Sequence, residues 1–195
     1  MNRISRKLAL SVAGAALVAP LAGTSVAGAS LAPTQGETSG SNVTAVSDDT
    51  VQTKATISGA TVITRAKKWL TANNGKPVPY SQVSNWKDGY RQDCSGFVSM
   101  AYAYGKPGLN TVGLADSSVS TRFTSKNNLR KGDTIIDPNG TSTSRHVVLF
   151  EKWANSAKTQ YWAVEQRGTY GTTYRKLSYG IGSDQYDFYR QKKLS

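Results

Sequence analysis

Cys94 is the only cysteine in this 195-residue chain and His146 the only histidine. A thiol is a strong nucleophile as its thiolate, and imidazole is the usual base for it. The cysteine lies in Arg91-Gln92-Asp93-Cys94-Ser95-Gly96-Phe97-Val98-Ser99-Met100, a stretch that reads as a helix start. Asp93 is a good N-cap, because its carboxylate accepts N–H bonds from the first turn. Phe97, Val98, Met100, Ala101 and Tyr104 then follow close to helical spacing. Cys94 therefore falls on the first turn, where unpaired N–H groups and the helix dipole favour a negative sulfur. The same N–H groups suit a substrate oxyanion. A small buried core cysteine is the alternative, but a residue behind a polar cap is not on an apolar stripe.

His146 opens Arg145-His146-Val147-Val148-Leu149-Phe150-Glu151-Lys152-Trp153, the clearest strand in the sequence. A catalytic imidazole needs a third group to hold its tautomer. A returning hairpin strand over Thr159 to Gln166 offers Glu165 and Gln166, whose side chains point to opposite faces. Glu165 is preferred, because a carboxylate both orients the ring and offsets its charge. Gln166 would orient it only.

The remaining elements must place this pair. Residues 61–73 are expected to form a helix with Val62, Ile63, Ala66, Trp69 and Leu70 on one face, stopped by Asn73-Asn74-Gly75. The cysteine helix is expected to end near Gly105-Lys106-Pro107-Gly108, and a short helix is expected around Ser117 to Phe123. Asn128 to Asp133 reads as a turn, Thr134-Ile135-Ile136 as a short strand, and Tyr170 to Leu177 and Gln185 to Arg190 as two more. Helices first and an antiparallel meander after them make an α+β plan, with N-terminal helices packed on a central antiparallel sheet.

The N-terminus reads as a secretory signal over residues 1–29. Arg3, Arg6 and Lys7 precede an apolar run from Leu8 to Leu21, and Ala27-Gly28-Ala29 supplies the cleavage site. The run is short for a membrane span and Pro20 interrupts it. Residues 30–57, rich in Ser, Thr and Gly, read as a flexible leader, and residues 58–195 as the folded domain. Lys and Arg number 24 against 12 Asp and Glu. Only Arg3, Arg6, Lys7 and Lys54 of those cations precede residue 56, so the domain is drawn to polyanions. For an exported protein these are anionic cell-wall polymers rather than nucleic acid. One cysteine forms no internal disulfide, and outside the cell it is a bridge to another chain, an accident or a reactive group. One Cys and one His fall short of a metal set, so no metal or other cofactor is expected.

Taken together these segments resemble a family. Asp93-Cys94-Ser95-Gly96-Phe97 resembles the nucleophile motif of the NlpC-type cell-wall cysteine peptidases. Lys131-Gly132-Asp133 is similar to their Gly-Asp turn, and His146-Val147-Val148-Leu149-Phe150 to their histidine strand. Ala163-Val164-Glu165-Gln166 sits where their third polar residue falls, and Val78-Pro79-Tyr80 where their active-site tyrosine lies. The matches run in order from residue 61 to 167. The resemblance implies a papain-like α+β fold and a secreted monomer that hydrolyses amide bonds in peptidoglycan stem peptides. On that basis Cys94, His146 and Glu165 are catalytic, and Tyr80, Asp93, Ser95, Arg145 and Gln166 line the oxyanion and substrate region. The chain departs from the pattern in three places. The third residue is commonly His, the residue before the histidine is often Gly where Arg145 stands here, and the hairpin after His146 is longer than usual. Arg145 and Arg167 would flank the cleft, either to bind a substrate carboxylate or as solvated strand-end charges. Two alternatives stand beside this reading: a non-catalytic cell-wall-binding protein on the same fold, binding polymer or glycan through its basic surface and Trp69, Trp86, Trp153 and Trp162, and a CHAP-type amidase or acyl transferase with the same nucleophile.

Overall fold

The computed structural model describes residues 56–182 and 184–195. The expected signal segment, and the leader up to residue 55, lie outside the described residues. Ile57, at the expected end of the leader, pairs with Leu194 in a parallel bridge. Among the described residues no helix is long and apolar enough to cross a membrane.

Two helices and a third short one pack on a six-stranded antiparallel sheet. Helix α1 spans Gly59–Lys68, with Ser58 as its N-cap accepting from the Thr61 N–H at 3.2 Å. It starts and stops earlier than expected. Trp69, Leu70 and Thr71 each donate back to a carbonyl three residues earlier, so 3₁₀-type turns finish the segment before Asn73. Helix α2 spans Cys94–Ala101. It also ends before the expected Gly105. Ala103 takes the left-handed conformation at φ 51°, and Tyr104 N–H reaches the Ser99 carbonyl at 2.9 Å. That six-to-one bond closes a helix without glycine.

Helix α3 spans Thr111–Ala115, capped by Asn110. The helix expected around Ser117 to Phe123 is instead strand β1, Ser120–Phe123. The strands continue with β2 (Thr134–Asp137), β3 (His146–Trp153), β4 (Tyr161–Arg167), β5 (Gly171–Leu177) and β6 (Asp187–Gln191). Their spatial order is β1-β6-β2-β3-β4-β5. Strands β2 to β5 form the meander. Strand β6 returns to the far side of β2, with Ile135 opposite Phe188, and β1 pairs outside it. Cross-strand partners therefore decide the state of residues 120–123, overriding local preference.

Strand β3 is apolar from Val147 to Phe150 because both its faces are buried there. Val147 and Leu149 join Val62, Ala66, Phe97 and Val98 under the helices. Val148 and Phe150 join Tyr161, Ala163 and Phe188 on the opposite face. Full burial of Phe97 and Val98 stabilises the docking of α2 by about 1.5–3 kcal/mol each. The end of the sheet where β3 begins is thereby held against α2.

Candidate active site

The cap of α2 comes first. Asp93 Oδ1 accepts from Gly96 N–H at 2.6 Å and from the Ser95 hydroxyl at 3.2 Å. Its other oxygen takes Arg91 Nε at 2.5 Å. Arg91 also donates to Ser95 Oγ and to the carbonyls of Gly108 and Leu109, which joins the nucleophile turn to the loop after α2. Gly96 is required here by close approach, since a Cβ would stand 2.1 Å from the Arg91 carbonyl oxygen. With Gly96 N–H capped, the N–H groups of Cys94 and Ser95 have no acceptor among the described residues. Asp93 and Ser95 thus act on the site through the backbone they hold, and both also line its groove.

Cys94 is only 5% exposed and packs against the helix-side core. It nonetheless forms part of the wall of a groove of about 350 Å³, with Tyr80, Gln82, Val83, Asn110, Thr111 and Arg145 around it. A second lobe of about 440 Å³ shares Tyr80, Gln82 and Arg145 and continues past His146 to Thr143, Ser144, Arg167 and Gly168. Gln82 bridges the loops on its two sides, donating to the Ser142 carbonyl at 2.9 Å. A larger cavity, about 650 Å³, lies elsewhere, by β1 and β6, and contains neither thiol nor imidazole.

The structure brings Glu165, not Gln166, to the imidazole. Glu165 Oε2 lies 2.9 Å from His146 Nε2, which leaves Nδ1 for the thiol. The same carboxylate accepts from Tyr179 Oη at 2.7 Å and from Arg175 Nε at 2.7 Å. Gln166 points to the helix side and is fully buried. Its amide nitrogen donates to the carbonyls of Val78, Pro79 and Gln92, and its oxygen accepts from Thr172. It therefore fastens the Tyr80 segment and the approach to Cys94 to the sheet, rather than orienting the ring. Sequence reasoning assigned no role to Arg91, Arg175 or Tyr179. For Arg175 the signal was the period of two along β5, which puts Thr173 and Arg175 on the Glu165 face once the register is known.

Electrostatics tie the three groups together. Burial opposes a charged imidazole, but Cys94, by hydrogen bond and charge, and Glu165 outweigh it and push His146 up to about 9. Burial likewise opposes the Glu165 carboxylate, and hydrogen bonds from His146, Tyr179 and Arg175 pull it down to about 2. At neutral pH the ring is held as imidazolium against a carboxylate. The stability contributed by ionised Glu165 is complete above its ordinary 4.5 and is lost as pH falls toward 2. That contributed by charged His146 is complete below 6.5 and is lost as pH rises through about 9. Burial and the Glu165 charge raise Tyr179, which stays protonated and donating. Burial, followed by the Cys94 sulfur, raises Tyr80, so its hydroxyl remains a donor beside the thiol.

Among the described residues no three His, Cys, Asp or Glu side chains come together as a metal set. A nucleophile, a base with a buried orienting carboxylate, free N–H groups and an open groove together suit nucleophilic acyl chemistry. No protein-family model matches the chain, and no curated protein matches it.

Proposed function

We propose that this protein is a secreted cysteine peptidase of the NlpC type, with a papain-like fold, that hydrolyses amide bonds in peptidoglycan stem peptides. The observation that carries the reading is His146, held by the buried Glu165 carboxylate at 2.9 Å and raised by the Cys94 sulfur, with Cys94 on the wall of an open groove. The substrate class rests on the order of motifs from Val78 to Gln166 and on the basic surface, which suits anionic wall polymers.

The steps follow from the geometry. The Cys94 thiolate attacks the amide carbonyl, and the oxyanion forms beside the N–H groups of Cys94 and Ser95 and the Tyr80 hydroxyl. The carbon–nitrogen bond breaks as the His146 imidazolium gives its proton to the leaving amine, leaving a thioester on Cys94. Water then attacks the thioester while His146 takes its proton, and the carbon–sulfur bond breaks to release the acid and expel the Cys94 thiolate, which restores the thiolate–imidazolium pair. Glu165 keeps the ring oriented and stabilises its charged form in both halves.

Iodoacetamide treatment of the full chain, followed by incubation with purified wall peptides, tests the reading. Alkylation is expected to stop peptide release. Release that survives complete alkylation of Cys94 would overturn it. Mass spectrometry of the products separates hydrolysis, which adds water, from transfer, which joins the acyl group to another amine. A wall-binding protein without catalysis would release nothing before alkylation and keep its wall binding after it.

A further inference from the structure

The two lobes of the groove differ in uncompensated charge. In the Cys94 lobe the one guanidinium apart from the shared Arg145 is Arg91, and it is committed to Asp93, Ser95 and two carbonyls. Asn110, Thr111 and Val83 supply neutral wall. The His146 lobe holds Arg145 and Arg167 and no acidic residue. Neither arginine has a carboxylate within 4.0 Å among the described residues. Arg167 stacks over the Tyr170 ring at 4.0 Å, a contact that positions the guanidinium without neutralising it. Arg145 precedes β3 and Arg167 ends β4, its antiparallel neighbour, so both stand at the same end of the sheet.

Reaction polarity assigns the lobes. His146 protonates the leaving nitrogen, so the fragment attached to that nitrogen extends past the imidazole into the second lobe. Two guanidinium forks facing an acid-free cavity match a carboxylate on that fragment. We propose that Arg145 and Arg167 form a carboxylate-binding subsite for the leaving fragment, so that the enzyme selects amide bonds followed by a residue with a free carboxylate. This rests on the peptidase reading above.

Three synthetic peptides, identical on the acyl side, test it. On the leaving side one ends in a free α-carboxylate, one in a carboxamide, and one in a carboxamide with a side-chain carboxylate. The wild-type full chain is expected to favour a carboxylate over the plain carboxamide by roughly 10- to 100-fold in kcat/KM, mostly through KM. Preference for the first peptide assigns the α-carboxylate, and preference for the third the side chain. In the double variant Arg145→Gln/Arg167→Gln the ratio is expected to fall to about one, and the double lysine variant is expected to restore part of it. An undiminished ratio in the glutamine variant, or no preference in the wild type, overturns the subsite while leaving the peptidase reading in place.

Calorimetry with the Cys94→Ala protein gives a readout that needs no turnover. Tighter binding of a carboxylate peptide, lost with both arginines, supports the subsite even if the wild type cleaves none of the three, a result that would count against the peptidase reading alone. Equal binding of all three peptides overturns it.

Discussion

Glu165 and Asp133 are both buried acids paired with an arginine, yet only one belongs to the proposed reactive centre. Asp133 is fully buried. It accepts Arg190 through two nitrogens at 2.9 and 2.7 Å and the Arg130 N–H at 2.7 Å. Every partner is a permanent donor, and the cluster closes the turn at Gly132, whose φ of +94° suits glycine. Glu165 is 1% exposed and has Arg175 and Tyr179 as comparable partners. Its third partner is His146, whose charged form the Cys94 sulfur also favours. Burial and an ion pair mark a well-satisfied acid. A titratable partner that itself faces a nucleophile marks a site.

Substitutions that remove each charge sharpen this contrast. Glu165→Gln is expected to lower kcat/KM by roughly 10- to 10⁴-fold, because the imidazolium loses its carboxylate. Wall-peptide release assays on the folded variant check this, and an unchanged rate would place Glu165 beside Asp133 as a structural acid. Asp133→Asn is expected to destabilise the fold by about 3 kcal/mol, the low end for a broken buried pair because Arg190 keeps contact with water. Urea unfolding measures that, and the activity per folded molecule should stay close to wild type.

A smaller effect is read by spectroscopy. With a single histidine, the imidazole proton resonance needs no assignment. It is expected to titrate near 9 in the wild type and lower in Glu165→Gln, where one of the groups that raise it is gone. A midpoint unmoved by that substitution would break the coupling on which the contrast rests. The smallest effect is expected from Arg175→Gln. The arginine side chain is 40% exposed, so its pairing contributes about 0–1 kcal/mol and the rate should change by a few-fold at most. Steady-state kinetics check this, and a loss as large as that of Glu165→Gln would make Arg175 a full member of the relay.

The parts of this arrangement legible in the sequence are those set by neighbours along the chain. The Asp93 cap, the first-turn position of Cys94 and the β3–β4 hairpin follow from local chemistry and alternation, and the structure has all three. The preference for Glu165 over Gln166 as the residue nearest the ring came from charge reasoning, and the hydrogen bond to His146 agrees with it. What local pattern could not carry depended on distant pairing. Residues 120–123 are a strand because β6 lies beside them, and α3, which follows its Asn110 cap, is a five-residue helix too short to show a period. The role of Gln166 was hidden for the same reason, since three of its partners are backbone carbonyls from residues 78, 79 and 92. Arg91 was visible as a residue but not as a clamp, because its acceptors at Gly108 and Leu109 arrive only when the loop after α2 folds back.

Mass spectrometry of purified wall stem peptides, incubated with the wild-type chain and with folded Cys94→Ala and His146→Ala variants, tests the central claim most directly. Wild type is expected to split one amide bond into a new acid and a new amine, and both variants are expected to leave the peptides intact. Cleavage by the Cys94→Ala protein at the wild-type rate, or intact peptides with all three proteins, would contradict the account.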